Sequence, residues 1–173
     1  MNHYETKVDG DLLLSFFLLF SRFEYALKAS GYFKRPNEIR YDPGRPPNAE
    51  PDWDSFAVSL RALFVREKEQ DLTGACDYLL AFPPNRQVIL RDASGFTVAW
   101  ETPVRPYNEM DIEFMLRMVR NIRNNLFHGG KYGTGIHENV ERTERLIISS
   151  LRVLEECLKL APEVRKCFEE AVL

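Results

Sequence analysis

The sequence has no basic excess, few cysteines and histidines, and no long apolar run. Its 173 residues carry 23 Lys and Arg against 26 Asp and Glu, a formal net charge of −3. Proteins that grip nucleic acid along its backbone usually carry a clear surplus of positive charge, so that class is disfavoured and only a local basic pocket stays open. The three cysteines, Cys76, Cys157 and Cys167, are odd in number and show no short paired spacing. They exclude a disulfide framework and point to free thiols in a reducing compartment. None of His3, His128 and His137 pairs with a cysteine or a second histidine at a zinc-binding spacing, so no dedicated metal site and no cofactor is expected. The most apolar run, Leu12 to Phe20, lies between Asp9 and Asp11 on one side and Arg22 on the other. It falls far short of the roughly 20 residues that cross a bilayer. It also lacks the basic start and cleavage site of a secretory signal. A buried helix in a cytoplasmic protein with no membrane association is the expectation.

What is present reads as one helical domain over residues 1–173, with 45% apolar and 28% charged residues. Periodicity predicts a first helix from Asp11 to Ser30, stopped by Gly31. Residues 32–52 carry Pro36, Pro43, Pro46, Pro47 and Pro51, which forbid helix and make a long extended loop. Asp52 or Asp54 can cap a second helix, and a third spans Leu72 to Ala81 before Pro83 and Pro84. Two β-prone runs around Asp92-Ala93-Ser94-Gly95 predict a β-hairpin over 86–101. A long helix from Asn108 to His128 ends at Gly129-Gly130, another runs from Glu138 to Leu160, and Pro162 opens a last short one. The fold class is therefore mainly α, an up-and-down bundle of long helices with a small inserted hairpin.

Two charges stand on apolar stripes. At about 100° per residue, Arg123 lies about 20° from Ile112, between Val119 and Leu116, in the middle of the apolar face of its helix. In the first helix the stripe Leu13, Phe17, Phe20 and Leu27 contains Glu24. A buried charge is costly unless paired, so both are expected to face one interior or cleft and to interact. Snorkelling of Arg123, or a slight rotation that leaves Glu24 at the helix edge, is the bland alternative. Five residues after Arg123 comes His128, with Asn121, Asn124 and Asn125 nearby and Gly129-Gly130 behind it. This cluster offers much hydrogen-bonding capacity and little packing.

Arg123-Asn124-x-x-x-His128 resembles the motif of the HEPN superfamily, an arginine and a histidine separated by a short spacer with a polar residue in its first position. The segment FSRFEYALKASGY, Phe20 to Tyr32, is similar to the first helix of several bacterial HEPN proteins, where an acidic residue lies near the motif. The resemblance covers the first helix and the last two long helices. It implies a helical homodimer in which two motifs meet and cleave RNA without metal, in toxin–antitoxin, abortive-infection or CRISPR-linked defence. Members paired with a nucleotidyltransferase antitoxin continue the motif to a tyrosine; here that position is Gly130, and the nearest tyrosine is Tyr132.

In such a reaction the substrate's 2′-hydroxyl is the nucleophile and His128 moves a proton near neutrality. Arg123 binds phosphate oxygens through its planar fork, Asn124 orients His128 or the phosphate, and Glu24 holds Arg123. Lys131, Arg120 and Asn121 are candidate substrate contacts. One histidine supplies one proton-transfer group, so a second copy would complete the acid–base pair. Phe114 and Met118, on the far side of the long helix from its main stripe, are the expected dimer surface. RNA and an antitoxin or regulatory protein are the other expected partners. The alternatives are a non-catalytic dimeric module that binds a nucleotide or protein through the same groove, a small-molecule sensor, and a purely structural dimer.

Overall fold

A computed structural model of the chain describes residues 7–35, 46–92, 95–127 and 139–171. Helix α1 spans Gly10–Ala29, and its start is fixed by Asp9, whose Oδ1 accepts from the amides of Asp11 at 2.8 Å and Leu12 at 2.9 Å. Its end is a Schellman turn. Gly31 adopts φ +95°, Tyr32 N donates to Leu27 O at 2.8 Å, and Gly31 N donates to Lys28 O at 3.3 Å. From there the chain leaves as a short extended piece that pairs antiparallel at Phe33 and Pro51. Lys34 N donates to Glu50 O at 2.9 Å and Asp52 N to Tyr32 O at 3.0 Å, which closes the base of the proline-rich segment. Residues 36–45 of that predicted loop lie outside the described residues.

Helix α2, Trp53–Ser59, comes next, capped by Asp52 Oδ1 on Ser55 N at 3.0 Å. A 3₁₀ turn at Arg66–Lys68 leads into α3, Gln70–Ala81. Strands β1, Arg86–Asp92, and β2, Gly95–Glu101, form the predicted antiparallel hairpin, with Ile89 opposite Val98. Helix α4 is Asp111–Phe127. It starts three positions later than the periodicity suggests, because Glu113 Oε2 accepts from Met110 N at 2.9 Å as half of a capping box. Helices α5, Val140–Leu160, and α6, Pro162–Glu170, complete the chain, with Asn139 capping α5 and Pro162 in the first turn of α6. The mainly helical fold with one small hairpin is as the sequence predicts.

Most of the buried apolar side chains form one cluster, to which α1 contributes Phe16, Phe20, Phe23 and Leu27, and α5 contributes Ile147, Leu154 and Cys157. Helix α5 is central: it packs on α1, α3, α4 and α6. Two expectations are corrected by this packing. The buried line of α1 is Phe16-Phe20-Phe23-Leu27, while Phe17 is exposed, so the helix is rotated relative to the stripe read from its sequence. Phe114 and Met118 are 3% and 0% exposed within the chain, so they are core residues of α4 and offer no dimer surface. Helix α4 packs against α2, α3 and α5 together, which covers its circumference on more sides than one stripe implies.

One charge is deep in this body. Glu156 of α5 is 1% exposed, and Lys68 Nζ donates to its Oε1 at 3.0 Å. Lys159 Nζ stands 3.2 Å from Oε2 but off the angle a hydrogen bond needs, so that contact is Coulombic. Burial raises the Glu156 pKa; the contacts from Lys68 and Lys159 outweigh it and hold the carboxyl below its ordinary value. Stability from a carboxylate with a depressed native pKa is present above the unfolded value of about 4.3 and is lost as pH falls through the native one. Glu156→Gln should therefore lower stability at neutral pH and flatten its decline below about pH 4.3. Urea unfolding midpoints measured across that range check this; an unchanged acid limb in the variant would refute it.

Candidate functional site

A cleft of about 170 Å³ opens where α1, the base of the proline-rich segment, α2 and α4 converge. Phe20 and Glu24 come from α1, Lys34, Glu50 and Pro51 from the bridged segment, Trp53 from α2, and Arg120, Arg123 and Asn124 from α4. Burial of Trp53 drives the arrangement. Its indole stacks on Phe20 at 5.3 Å and on Phe23 at 5.2 Å between ring centroids, which ties the start of α2 to the middle of α1. The indole Nε1–H donates to Glu24 Oε1 at 3.4 Å.

Arg123 and Glu24 thus line the same cleft, as the two misplaced charges imply, but each has a different immediate partner. Glu24 is half-buried at the edge of the rotated α1 and is held by Trp53. The Arg123 guanidinium lies over the rings of Phe127 at 4.7 Å and Phe20 at 5.7 Å, and its Nη1 donates to Asn124 Oδ1 at 3.1 Å. Among the described residues no carboxylate comes within ion-pair distance of Arg123. The other cations of the cleft are engaged. Lys34 Nζ is 3.6 Å from Glu50 Oε2, and Arg120 Nη1 is 3.2 Å from Asp54 Oδ1. Next to them Asp52, the cap of α2, is held below the usual carboxylate range. Burial opposes ionisation there, and the Ser55 hydrogen bonds and the Lys34 charge outweigh it.

Of the residues singled out in the sequence, Glu24, Arg120, Arg123 and Asn124 meet in this cleft. Asn121 is half-buried on α4 and is not part of the lining. Asn125 takes a structural role, donating through Nδ2 to Asn85 O at 2.7 Å and so pinning the root of the hairpin to α4. His128 and Lys131 lie outside the described residues. Phe20, Lys34, Glu50, Pro51 and Trp53 carry no mark in the sequence pattern as cleft residues. The one signal for them is Asp52-Trp53, a cap and then a large aromatic directly after the proline-rich stretch. Cysteine chemistry has no support nearby: Cys76 and Cys157 are buried, burial pushes the Cys76 thiol up to about 12, and the Cys157 thiol is raised the same way.

No helix among the described residues is long and apolar enough to cross a membrane. The chain matches no protein-family model, no curated protein and no solved structure. The cleft itself is the ground for a functional reading.

Arg123 contributes to folding mainly through its ring contacts, which are worth about 0.5–1 kcal/mol at a site open to water, since its hydrogen bond to the neighbouring Asn124 is exposed. Arg123→Ala should lower unfolding stability by no more than about that amount. A loss of several kcal/mol in denaturant titration would make the arginine a structural residue.

Proposed function

We propose that this chain is a metal-independent endoribonuclease of HEPN type, cutting RNA by attack of the 2′-hydroxyl at a site completed by a second copy, in a toxin or phage-defence role. The observation that carries this reading is Arg123: a cation with no carboxylate partner among the described residues, held against two aromatic rings at the rim of a cleft, one turn from the end of α4. A fixed, unpaired guanidinium is a ready phosphate site. It can stabilise the charge that builds on the phosphorane in the transition state. Asn124, tied to Arg123, orients the same phosphate, and Glu24 acts as a positioning residue that shapes the wall opposite. His128 is next in the chain after the last residue of α4 and supplies the proton transfer, with Lys131 as a further backbone contact.

A different surface takes the place of Phe114 and Met118 in this reading. Leu14, Phe17, Leu18 and Tyr25 are exposed and fall within about 100° of the circumference of α1. Phe17 touches Phe127, the neighbour of Arg123, with ring centroids 3.7 Å apart. A twofold contact through this stripe brings two clefts close together and supplies the second histidine.

The purified protein should cleave RNA in the presence of EDTA and leave 2′,3′-cyclic phosphate ends. His128→Ala should abolish cleavage with stability almost unchanged. Arg123→Ala should lose about 100-fold or more, the usual cost of removing one transition-state donor, and Glu24→Gln should lose less. RNA with a 2′-deoxy residue at the cut site should resist. Undiminished cleavage by His128→Ala, or cutting of the 2′-deoxy substrate, would overturn the mechanism.

A further inference from the structure

The hairpin carries apolar surface that the helical body does not cover. Among the described residues its sheet has two strands, so β1 and β2 each keep one free edge. Cross-strand register places Ile89 with Val98, Gln87 with Trp100 and Arg91 with Phe96 on one face. There Ile89 is 73%, Val98 68% and Phe96 74% exposed. A two-stranded ribbon is marginal alone in water, and a bare edge is a template for another strand. Natural edges are usually blunted by charge or proline. Strand β1 is blunted by Arg91, whereas Phe96-Thr97-Val98-Ala99-Trp100 in β2 has neither charge nor proline.

The geometry of antiparallel pairing then selects a partner. Facing residues turn their backbone groups either both toward the shared edge or both away from it, so a β2–β2 contact joins positions of equal parity. Full overlap of the seven residues of β2 centres on Val98. In that register Val98 faces Val98 of the second copy, and Phe96 faces Trp100 twice, all on the face already apolar. Gly95 stands opposite Glu101, the only charge on the strand, and Glu101 is already paired with Arg86 of its own chain at 3.0 Å. In this register apolar residues face apolar residues and no like charges meet across the twofold axis.

We propose that β2 is an association edge for a second copy of this chain, pairing antiparallel about Val98 to make a continuous four-stranded sheet. This surface is separate from the α1 stripe and does not depend on the ribonuclease reading. Single cysteines introduced in a Cys167→Ser background test it, because facing residues across an antiparallel pair fall within disulfide reach. Val98→Cys should form at least about tenfold more cross-linked dimer than Thr97→Cys under mild oxidation. Phe96→Cys mixed with Trp100→Cys should cross-link as a heterodimer, while neither does so alone. Val98→Lys, at an exposed position, should keep the far-ultraviolet circular dichroism of the wild type and raise the dissociation constant measured by sedimentation about tenfold or more. Equal cross-linking at positions 97 and 98 would overturn the proposal. So would unchanged association of Val98→Lys, or a wild type that stays monomeric at about 100 µM while binding an added extended peptide.

Discussion

Trp53 is the side chain on which the site depends. Its ring is clamped by Phe20 and Phe23 of α1, with Phe56 edge-on to Phe23, and its one polar atom donates to Glu24. That arrangement fixes three things together. It sets the height at which the chain re-enters the body after the proline-rich segment, the distance between α1 and α2, and the direction of the Glu24 carboxylate. Backbones of α1 and α4 do not approach closely along their length, and at the cleft they meet through Phe20, Arg123, Phe17 and Phe127. The cleft exists because aromatic rings, not close-packed helices, form its floor.

The molecule handles its out-of-place charges in two contrasting ways. Glu156 is buried and surrounded: Lys68, Lys159 and Arg152 converge on it, and Arg152 also pairs with Glu69. Such a group holds α5 to the segment before α3, and it offers nothing to a ligand because its charge is spent inside the fold. Arg123 is the reverse case. Aromatic faces steady a guanidinium without neutralising it, so it keeps its full charge toward whatever enters the cleft. The distinction separates an ion cluster closed within the fold from a cation left facing a cleft.

Element boundaries were legible in the sequence because they are set by local chemistry. Gly31 needs its left-handed backbone, Asp52 caps α2, Pro162 opens α6, and the pair of β-prone runs around Asp92 to Gly95 closes a hairpin. Which way α1 faces was not legible. Leu12 to Phe20 is so uniformly apolar that two stripes fit it, and the choice is made by α5 and α6, which come more than a hundred residues later. The same holds for Phe114 and Met118, whose burial shows only in the folded chain. The shared location of Glu24 and Arg123 is implied by the cost of misplaced charge, whereas Lys34 and Glu50 enter the cleft through the long-range bridge between Phe33 and Pro51. Glu156 leaves a trace of its own: it sits three residues after Val153 and four before Leu160, on a line of apolar positions.

The Phe33–Pro51 bridge has a further consequence for how this sequence can diversify. Both ends of the intervening stretch are pinned by main-chain hydrogen bonds, Lys34 to Glu50 and Asp52 to Tyr32, and neither depends on the residues in between. Closing a loop costs free energy only as the logarithm of its length, about 0.6 kcal/mol for each doubling. A chain anchored in this way tolerates insertions of very different size at one point while the cleft wall stays in place. The position is a natural graft site, where an epitope, a sensor peptide or a whole small domain can be spliced beside the cleft without redesigning the helices that build it.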